Sequence, residues 1–262
     1  MEESTKNRVI LGIDVSTACL GVSIVRYDGD NFEILKISYV KLKVPSKIKG
    51  TEALFLKSKL FKEEFIEKYK DIGITDIIIE EPLPSSQNIN TVSTLLRFNG
   101  MISQSIYEAI GIVPKYITSY DARKYAFPEL MGVRKYDKKD NTYAPSKYAK
   151  DLKDNKLVLF AAYPFSVDKK YIVWNKISEM YGDIEWEYDK KGELKTENFD
   201  ASDSLTCILG YINKEKYGNT EPKIIEYNKE EINNDNIKLL RFNYIIDFCG
   251  QHIEKKIDIT DY

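Results

Sequence analysis

The chain has 262 residues, of which 43% are hydrophobic, and its 39 basic and 41 acidic side chains give a net charge of −2. This length and composition suit one α/β core with a smaller appendage, and they exclude a disordered tail or a short peptide. The slightly acidic balance is unusual for a nucleic-acid-binding domain, which is commonly basic overall. No run approaches the roughly 20 apolar residues of a membrane span, and the first residues, MEESTKNR, lack the apolar core of a secretory signal. We therefore expect a cytoplasmic protein with no membrane association.

Strand patterns and helix patterns alternate through the first half of the chain. Runs rich in β-branched residues are separated by short turns near the N-terminus, which predicts an antiparallel meander of three strands. Later apolar runs of strand length are separated by segments with apolar residues at helical spacing. The alternation predicts an α/β fold with a mixed five-stranded sheet flanked by helices. The predicted strands are 9–15, 20–27, 32–42, 74–82 and 112–118, and the predicted helices are 52–69, 91–110 and 119–125.

The second half of the chain has a different character. Periodicity fades and lysines gather, so we interpret residues 128–197 as a basic insertion, which includes a helical pattern and a hairpin around Gly192. The segment NFDASDSLTCILGYI, residues 198–212, predicts an amphipathic helix. Residues 1–213 would then form one domain. We expect a C-terminal helical extension over 214–262, and its sequence does not indicate a role.

Four acidic residues stand at positions where a site could form. Asp14 and Glu80 each end a predicted buried strand, where an unpaired charge is costly and is usually neutralised or bound to metal. Asp200 and Asp203 are three residues apart at a predicted helix start, so their side chains share one face. Oxygen ligands from separate segments can hold two divalent cations about 4 Å apart. Because the set has no histidine or cysteine, it favours Mg²⁺ or Mn²⁺ over zinc.

Each acid also has a simpler structural interpretation. Asp14 could cap the STAC turn that follows it, and Asp200 could be an ordinary helix N-cap. Asp203 is well placed for the helix dipole, and Glu80 could be a surface acid before Pro82. Singly, these interpretations are the stronger ones. The combination of four acids on these elements favours a site.

Three acidic segments carry a resemblance to a known family. They are ILGIDVSTACLGVSIV at 10–25, the segment that begins IIIEEPLPSSQ at residue 77, and DASDSLTCILGYI at 200–212. Together they resemble the acidic blocks of RuvC-type Holliday junction resolvases, within the ribonuclease H-like superfamily. The resemblance covers a little over half of the chain. It implies that the five-stranded sheet is of the ribonuclease H-like kind.

The resemblance implies roles for the acids. The aspartate of the family's first strand matches Asp14, the glutamate of its fourth strand matches Glu80, and its D-x-x-D helix motif matches Asp200 and Asp203. These four would be both the catalytic residues and the metal ligands, with two Mg²⁺ or Mn²⁺ ions per site. Glu81 is kept as a supporting acid beside the site.

The resemblance also implies a substrate and partners. Such resolvases are homodimers that bind four-way DNA junctions and nick two opposed strands symmetrically. An aromatic residue that family members often carry three residues after the glutamate is replaced here by Leu83, which puts base stacking at that position in doubt. The Asn-, Ile- and Lys-rich composition fits a phage or viral member that acts in an infected cell. Candidate DNA contacts are Ser85, Ser86 and Gln87 in the loop after Glu80, and Arg134, Lys135, Lys138, Lys139 and Lys147 in the insertion.

Three other functions remain open at this stage. A flap or branched-DNA endonuclease of the same fold would use the same acids with looser specificity. Actin-like ATPases and sugar kinases also begin with a G-I-D-x-S/T turn that cradles phosphate, although no late glycine-rich loop follows Asp203 here. A junction-binding module that has lost catalysis is the third, and the complete set of four acids argues against it.

Overall fold

A computed structural model of the chain describes residues 7–82, 89–132, 168–234 and 237–260. The chain divides into two compact units. The first comprises Met1–Ala122 with Lys170–Tyr211, and the second comprises Arg123–Lys169 with Ile212–Tyr262. Among the helices in these described ranges, none is both long and apolar enough to cross a membrane.

The first unit is built on a five-stranded mixed sheet with the strand order β3-β2-β1-β4-β5. The first three strands form an antiparallel meander, and β4 and β5 run parallel to β1. This is the mixed five-stranded sheet that the sequence predicts, so the predicted α/β fold class is confirmed. The strands are β1 (Arg8–Val15), β2 (Cys19–Tyr27), β3 (Phe32–Lys41), β4 (Asp76–Glu81) and β5 (Lys115–Thr118).

Helices connect and flank these strands. The first helix along the chain, Gly50–Phe61, is followed without a break by a π-helical turn, Lys62–Ile66, and by two short helical turns that end at Ile72. Gly73, with a φ of 82°, stops the run because a left-handed residue cannot continue a helix. The helices are α1 (Gly50–Phe61), α2 (Ile89–Ile110), α3 (Ser119–Ala126), α4 (Lys169–Met180) and α5 (Glu197–Tyr217).

The two faces of the sheet have different roles. Alternate residues of β1 and β4, such as Leu11, Ile13 and Ile79, belong to the main buried cluster, together with Phe61 of α1 and Phe98 of α2. Because successive side chains of a strand point to opposite faces, the residues between them form the other face. That second face receives α5, and it is the face that carries Asp14.

The second unit contains a three-stranded antiparallel sheet in the order β6-β7-β8. Its strands are β6 (Lys223–Asn234), β7 (Ile237–Phe248) and β8 (Gln251–Thr260). The prediction of a helical extension over 214–262 is therefore wrong beyond the end of α5 at Tyr217.

The physical reason lies in the period of β7. Leu240, Phe242, Tyr244, Ile246 and Phe248 alternate along the strand, and all five are buried. The same run also places apolar residues three and four apart, which suggested a helix, but burial follows the period of two. A two-residue turn then reverses the chain into β8, with positive φ angles at both central residues, Cys249 and Gly250.

Candidate active site

Helix α5 approaches the sheet at two glycines. A Cβ atom at Gly21 would lie 1.8 Å from the carbonyl oxygen of Asp200, and a Cβ at Gly12 would lie 2.4 Å from that of Ser204. No larger residue fits at either position without moving the helix backbone. The Ser204 hydroxyl oxygen also lies within hydrogen-bond distance, 3.1 Å, of the Ser23 hydroxyl of β2. The glycines therefore hold the first turns of α5 directly on β1 and β2.

This helix is buried on more than its apolar side. Ser202, Ser204 and Thr206 are as buried as the leucines and isoleucines around them. Their hydroxyls donate to carbonyl oxygens three or four residues earlier in the same helix, at 2.7 to 2.9 Å. Because these polar groups find partners within α5, the helix can lie inside the unit at little cost.

The β1 and β2 register places Asp14 beside the start of α5. Asp14 is paired with Gly21, the residue against which the Asp200 carbonyl packs. Asp203 lies one turn further along α5, and it is only 4% exposed, which is unusual for an aspartate. The structure thus brings Asp14, Asp200 and Asp203 to one place, as the sequence predicts.

Glu80 reaches the same face from β4. The parallel pairing of β1 with β4 ends at Ile13 and Ile79, so the next residues along the two strands are Asp14 and Glu80. The Asn99 side chain of α2 donates a hydrogen bond of 3.2 Å to the Glu80 carbonyl oxygen and anchors the end of β4. Glu81, one residue further, is exposed and points to the opposite face of the strand.

Electrostatics connects the four acids. Burial raises the pKa of Asp14 well above its usual value, and the charges of Glu80, Asp203 and Asp200 raise the pKa further, in that order. Only a group close to all three would feel each of them in this way. The four carboxylates share one region of negative potential.

Lys170 places a positive charge beside these acids. Its Nζ donates to the Asp200 carboxylate at 2.8 Å, and it lowers the pKa of Asp14 in opposition to the other neighbours. Burial alone lowers the pKa of Lys170, but the hydrogen bond and charge of Asp200, with the charges of Asp203 and Asp14, raise the pKa above its usual value. The sequence does not distinguish Lys170, because it is one of many lysines in the second half of the chain.

A cysteine also contacts the acidic group. Cys19 is buried at the start of β2, and burial together with the charge of Asp200 and a hydrogen bond to it raises the pKa of the thiol to about 12. The thiol therefore stays protonated at neutral pH and donates to Asp200. A protonated, buried thiol is chemically inert, so Cys19 supports the Asp200 carboxylate and does not act as a nucleophile.

Two of the simpler interpretations are wrong. Ser16, and not Asp14, holds the STAC turn, because its hydroxyl donates to the Cys19 carbonyl at 2.6 Å and accepts from the Cys19 amide at 3.1 Å. Asp200 is not an N-cap, because α5 begins at Glu197 and Asp200 lies within its first turn. Turn formation therefore does not explain Asp14, and helix capping does not explain Asp200.

The donor set fits hard divalent cations in its chemistry. Carboxylate oxygens are the ligands that Mg²⁺ and Mn²⁺ prefer, and crowded carboxylates need a positive charge among them. Within the described ranges, no three acidic, cysteine or histidine side chains already converge in a geometry that could hold a metal ion. The acids are neighbours on one face, and Asp200 is engaged by Lys170.

The predicted DNA contacts Ser85, Ser86, Gln87, Arg134, Lys135, Lys138, Lys139 and Lys147 lie outside the described residues. The part of the predicted insertion that is described contains α4 and a hairpin in which Tyr188 pairs with Leu194. This hairpin confirms the turn that was predicted around Gly192.

Comparison with known proteins finds likeness only among solved structures. Neither a family model nor a curated protein matches this chain. The RuvC structure from Thermus thermophilus is 14% identical with a TM-score of 0.46, over 82% of this chain and 99% of that chain. T. thermophilus RuvC in complex with Holliday junction substrate is 12% identical over the same shares, with a TM-score of 0.49. The yeast mitochondrial Holliday junction resolvase Ydc2 is 15% identical with a TM-score of 0.43, over 80% of each chain.

Proposed function

We propose that this protein is a metal-dependent DNA endonuclease that resolves four-way junctions by symmetric nicking. The observation that carries the proposal is the field around Asp14, whose pKa is raised by burial and by three other carboxylates from β4 and α5. A fold without a charged ligand gains nothing from this crowding, which costs stability. Nucleases are among the proteins that need such a group.

Asp14, Glu80, Asp200 and Asp203 are the residues that would hold two Mg²⁺ or Mn²⁺ ions. Such ions, when bound, supply Lewis-acid activation of a water and stabilisation of the departing 3′ oxygen in phosphodiester hydrolysis. The chain's own part is to hold the carboxylates on rigid elements. Asp14 and Glu80 are fixed by adjacent parallel strands, and Asp200 and Asp203 by a helix that is fitted to the sheet through glycine.

The junction as substrate is supported by the three acidic segments that resemble the resolvase blocks. Each chain holds one group of four acids, so symmetric cleavage of two opposed strands requires two chains. We therefore propose a homodimer, in which phosphate contacts come from two groups of residues. They are Ser85, Ser86 and Gln87 in the loop after Glu80, and Arg134, Lys135, Lys138, Lys139 and Lys147 in the insertion. A looser flap endonuclease would share the acids and differ only in substrate.

The substrate assay is a panel of end-labelled DNAs with wild-type protein. A synthetic four-way junction, a flap and a linear duplex are incubated in Mg²⁺, in Mn²⁺ and in EDTA. The proposal predicts paired nicks on opposed junction strands, no cutting of the duplex, and no cutting of any DNA in EDTA. Equal cutting of flap and junction would favour the looser endonuclease. No cutting of branched DNA in either metal, with thermal stabilisation by ATP, would overturn the proposal in favour of a nucleotide-binding protein.

A further inference from the structure

A cluster of four aromatic rings lies on the first unit around Trp174. The ring centroid of Trp174 is 5.4 Å from that of Tyr171 in α4, 6.0 Å from that of Trp186, and 6.4 Å from that of Phe199 in α5. Trp174 is therefore held by its own helix and by two other segments of the chain. The ring of Tyr171 packs on this support and is 51% exposed.

Two residues of the cluster are sequence neighbours of residues in the acidic site. Tyr171 follows Lys170, whose Nζ is 2.8 Å from the Asp200 carboxylate, and Phe199 immediately precedes Asp200 in α5. Both helices that build the cluster thus reach the acids within one residue. Because bases and phosphates alternate along a strand, a ring that stacks on one base has to lie near the carboxylates that act on the adjoining phosphate.

The support behind the Tyr171 ring favours stacking of a nucleobase on it. A tyrosine whose ring is already supported loses little conformational freedom when a second ring stacks on it. Stacking on aromatic rings is tolerant of base identity, since every base has a π-face. The bases at the exchange point of a branched DNA lose a stacking neighbour, so one face of each base is available to stack on a protein side chain.

We propose that Tyr171, supported by Trp174, stacks on a nucleobase next to the phosphate that the acidic group cleaves. Tyr171 is then a positioning residue, because it holds the strand and does not touch the reacting atoms. This inference rests on the proposed nuclease function. It provides a stacking surface from α4 in a chain that has Leu83 after its acidic strand.

The test uses four-way junctions with a single 2-aminopurine placed in turn at each nucleotide near the nick, bound in Ca²⁺ so that cleavage is slow. Stacking on an aromatic ring quenches the fluorescence of this base. We expect one position to be quenched by wild type and by Tyr171→Phe, which keeps the ring. Tyr171→Ala should abolish that quenching and weaken junction binding about fivefold or more. The matched control is Tyr188→Ala, which removes a tyrosine of similar exposure, 53%, and should leave the quenching intact.

The outcomes separate the two proposals. If wild type neither binds nor cuts branched DNA, the proposed function fails and the inference fails with it. If wild type cuts the junction but Tyr171→Ala matches it in quenching and affinity, only the inference is overturned. Loss of quenching in Tyr171→Phe would also overturn it, because the hydroxyl and not the ring would then be the active group. Tyr171→Leu, which keeps apolar contact with Trp174 without a π-face, should behave as Tyr171→Ala and guards against a folding defect.

Discussion

The backbone carbonyl of Asp200 packs against the Cα of Gly21, so closely that a Cβ at position 21 would lie 1.8 Å from its oxygen. Gly21 is also the partner of Asp14 in the pairing of β1 with β2. This one contact therefore fixes the position of α5 on the sheet and the separation of Asp14 in β1 from Asp200 in α5. The backbone of α5, which packs on Gly21, explains why a glycine stands in this apolar strand.

Replacement of this glycine should damage both stability and activity. In Gly21→Ala, the new methyl group must displace the α5 backbone, and overpacking of this kind costs about 1–3 kcal/mol or more. We expect a lower free energy of unfolding in urea and strongly reduced junction cleavage. The control is Gly100→Ala in α2, where a Cβ meets open space and a helix interior gains up to about 1 kcal/mol. Equal stability of Gly21→Ala and wild type would show that α5 does not sit where the structure has it.

The charge of Asp14 should oppose folding when no divalent cation is bound. Its pKa is raised in the folded protein, so the contribution of Asp14 to stability is present below its unfolded pKa and is lost as the pH rises through the folded pKa. In EDTA at neutral pH, Asp14→Asn should therefore melt at a higher temperature than wild type. Added Mg²⁺ should raise the melting temperature of wild type and have little effect on the variant.

Asp28→Asn is the control, because folding shifts the pKa of Asp28 in the opposite direction from that of Asp14. Hydrogen bonds from Asn31 and Asp30 lower the pKa of Asp28, so its ionised form favours the folded state. This variant should not gain stability in EDTA. A melting temperature of Asp14→Asn at or below that of wild type in EDTA would contradict the crowding of the four carboxylates.

Adjacent glutamates should have unequal importance. Glu80 lies next to Asp14 on the face that receives α5, whereas Glu81 is exposed and points away. Glu80→Gln should lower the rate of junction cleavage at least about a hundredfold, because it removes a metal ligand. Glu81→Gln should retain most of the activity. Rates measured under single-turnover conditions decide between them, and the reverse order would mean that the strand is displaced by one residue.

Lys255 gives a prediction for the second unit that is independent of nuclease activity. Burial lowers the pKa of this lysine from 10.5 to about 8, and its Nζ donates to the Glu129 carbonyl. Between pH 8 and pH 10.5 this lysine binds more protons in the unfolded chain than in the folded protein, so the stability of wild type should rise with pH. Relative to Lys255→Met, wild type should gain melting temperature from pH 7 to pH 9.5. Lys256→Met, at an exposed neighbour, should run parallel to wild type over the same range.

The sheet could be predicted from the sequence because its strands carry local signals. Local patterns predict the strands, namely the β-branched runs of β1 and β2 and the apolar run of β4. The acids at the ends of β1 and β4 indicate the edge of the sheet where a site could form. The position of Lys170 could not be predicted, since its contact with Asp200 spans 30 residues and no periodicity marks it. The packing of α5 on Gly12 and Gly21 could not be predicted either, because it joins segments far apart in the chain, although the two glycines are visible in the sequence.

The C-terminal sheet shows the opposite case. The apolar residues of β7 satisfy the helical period and the strand period together, so the pattern alone does not choose between them. The choice is made by pairing with β6 and β8, which only the folded chain provides. The turn at Cys249 and Gly250 lacks the Asn-Gly signal that usually announces a hairpin.

The most direct measurement compares wild type with Asp200→Asn on one labelled four-way junction in Mg²⁺, with binding followed in the same samples. If the carboxylates form the active site, the variant binds the junction with near wild-type affinity and its paired nicks disappear. Cleavage by Asp200→Asn at the wild-type rate would contradict the claim that these carboxylates form the active site.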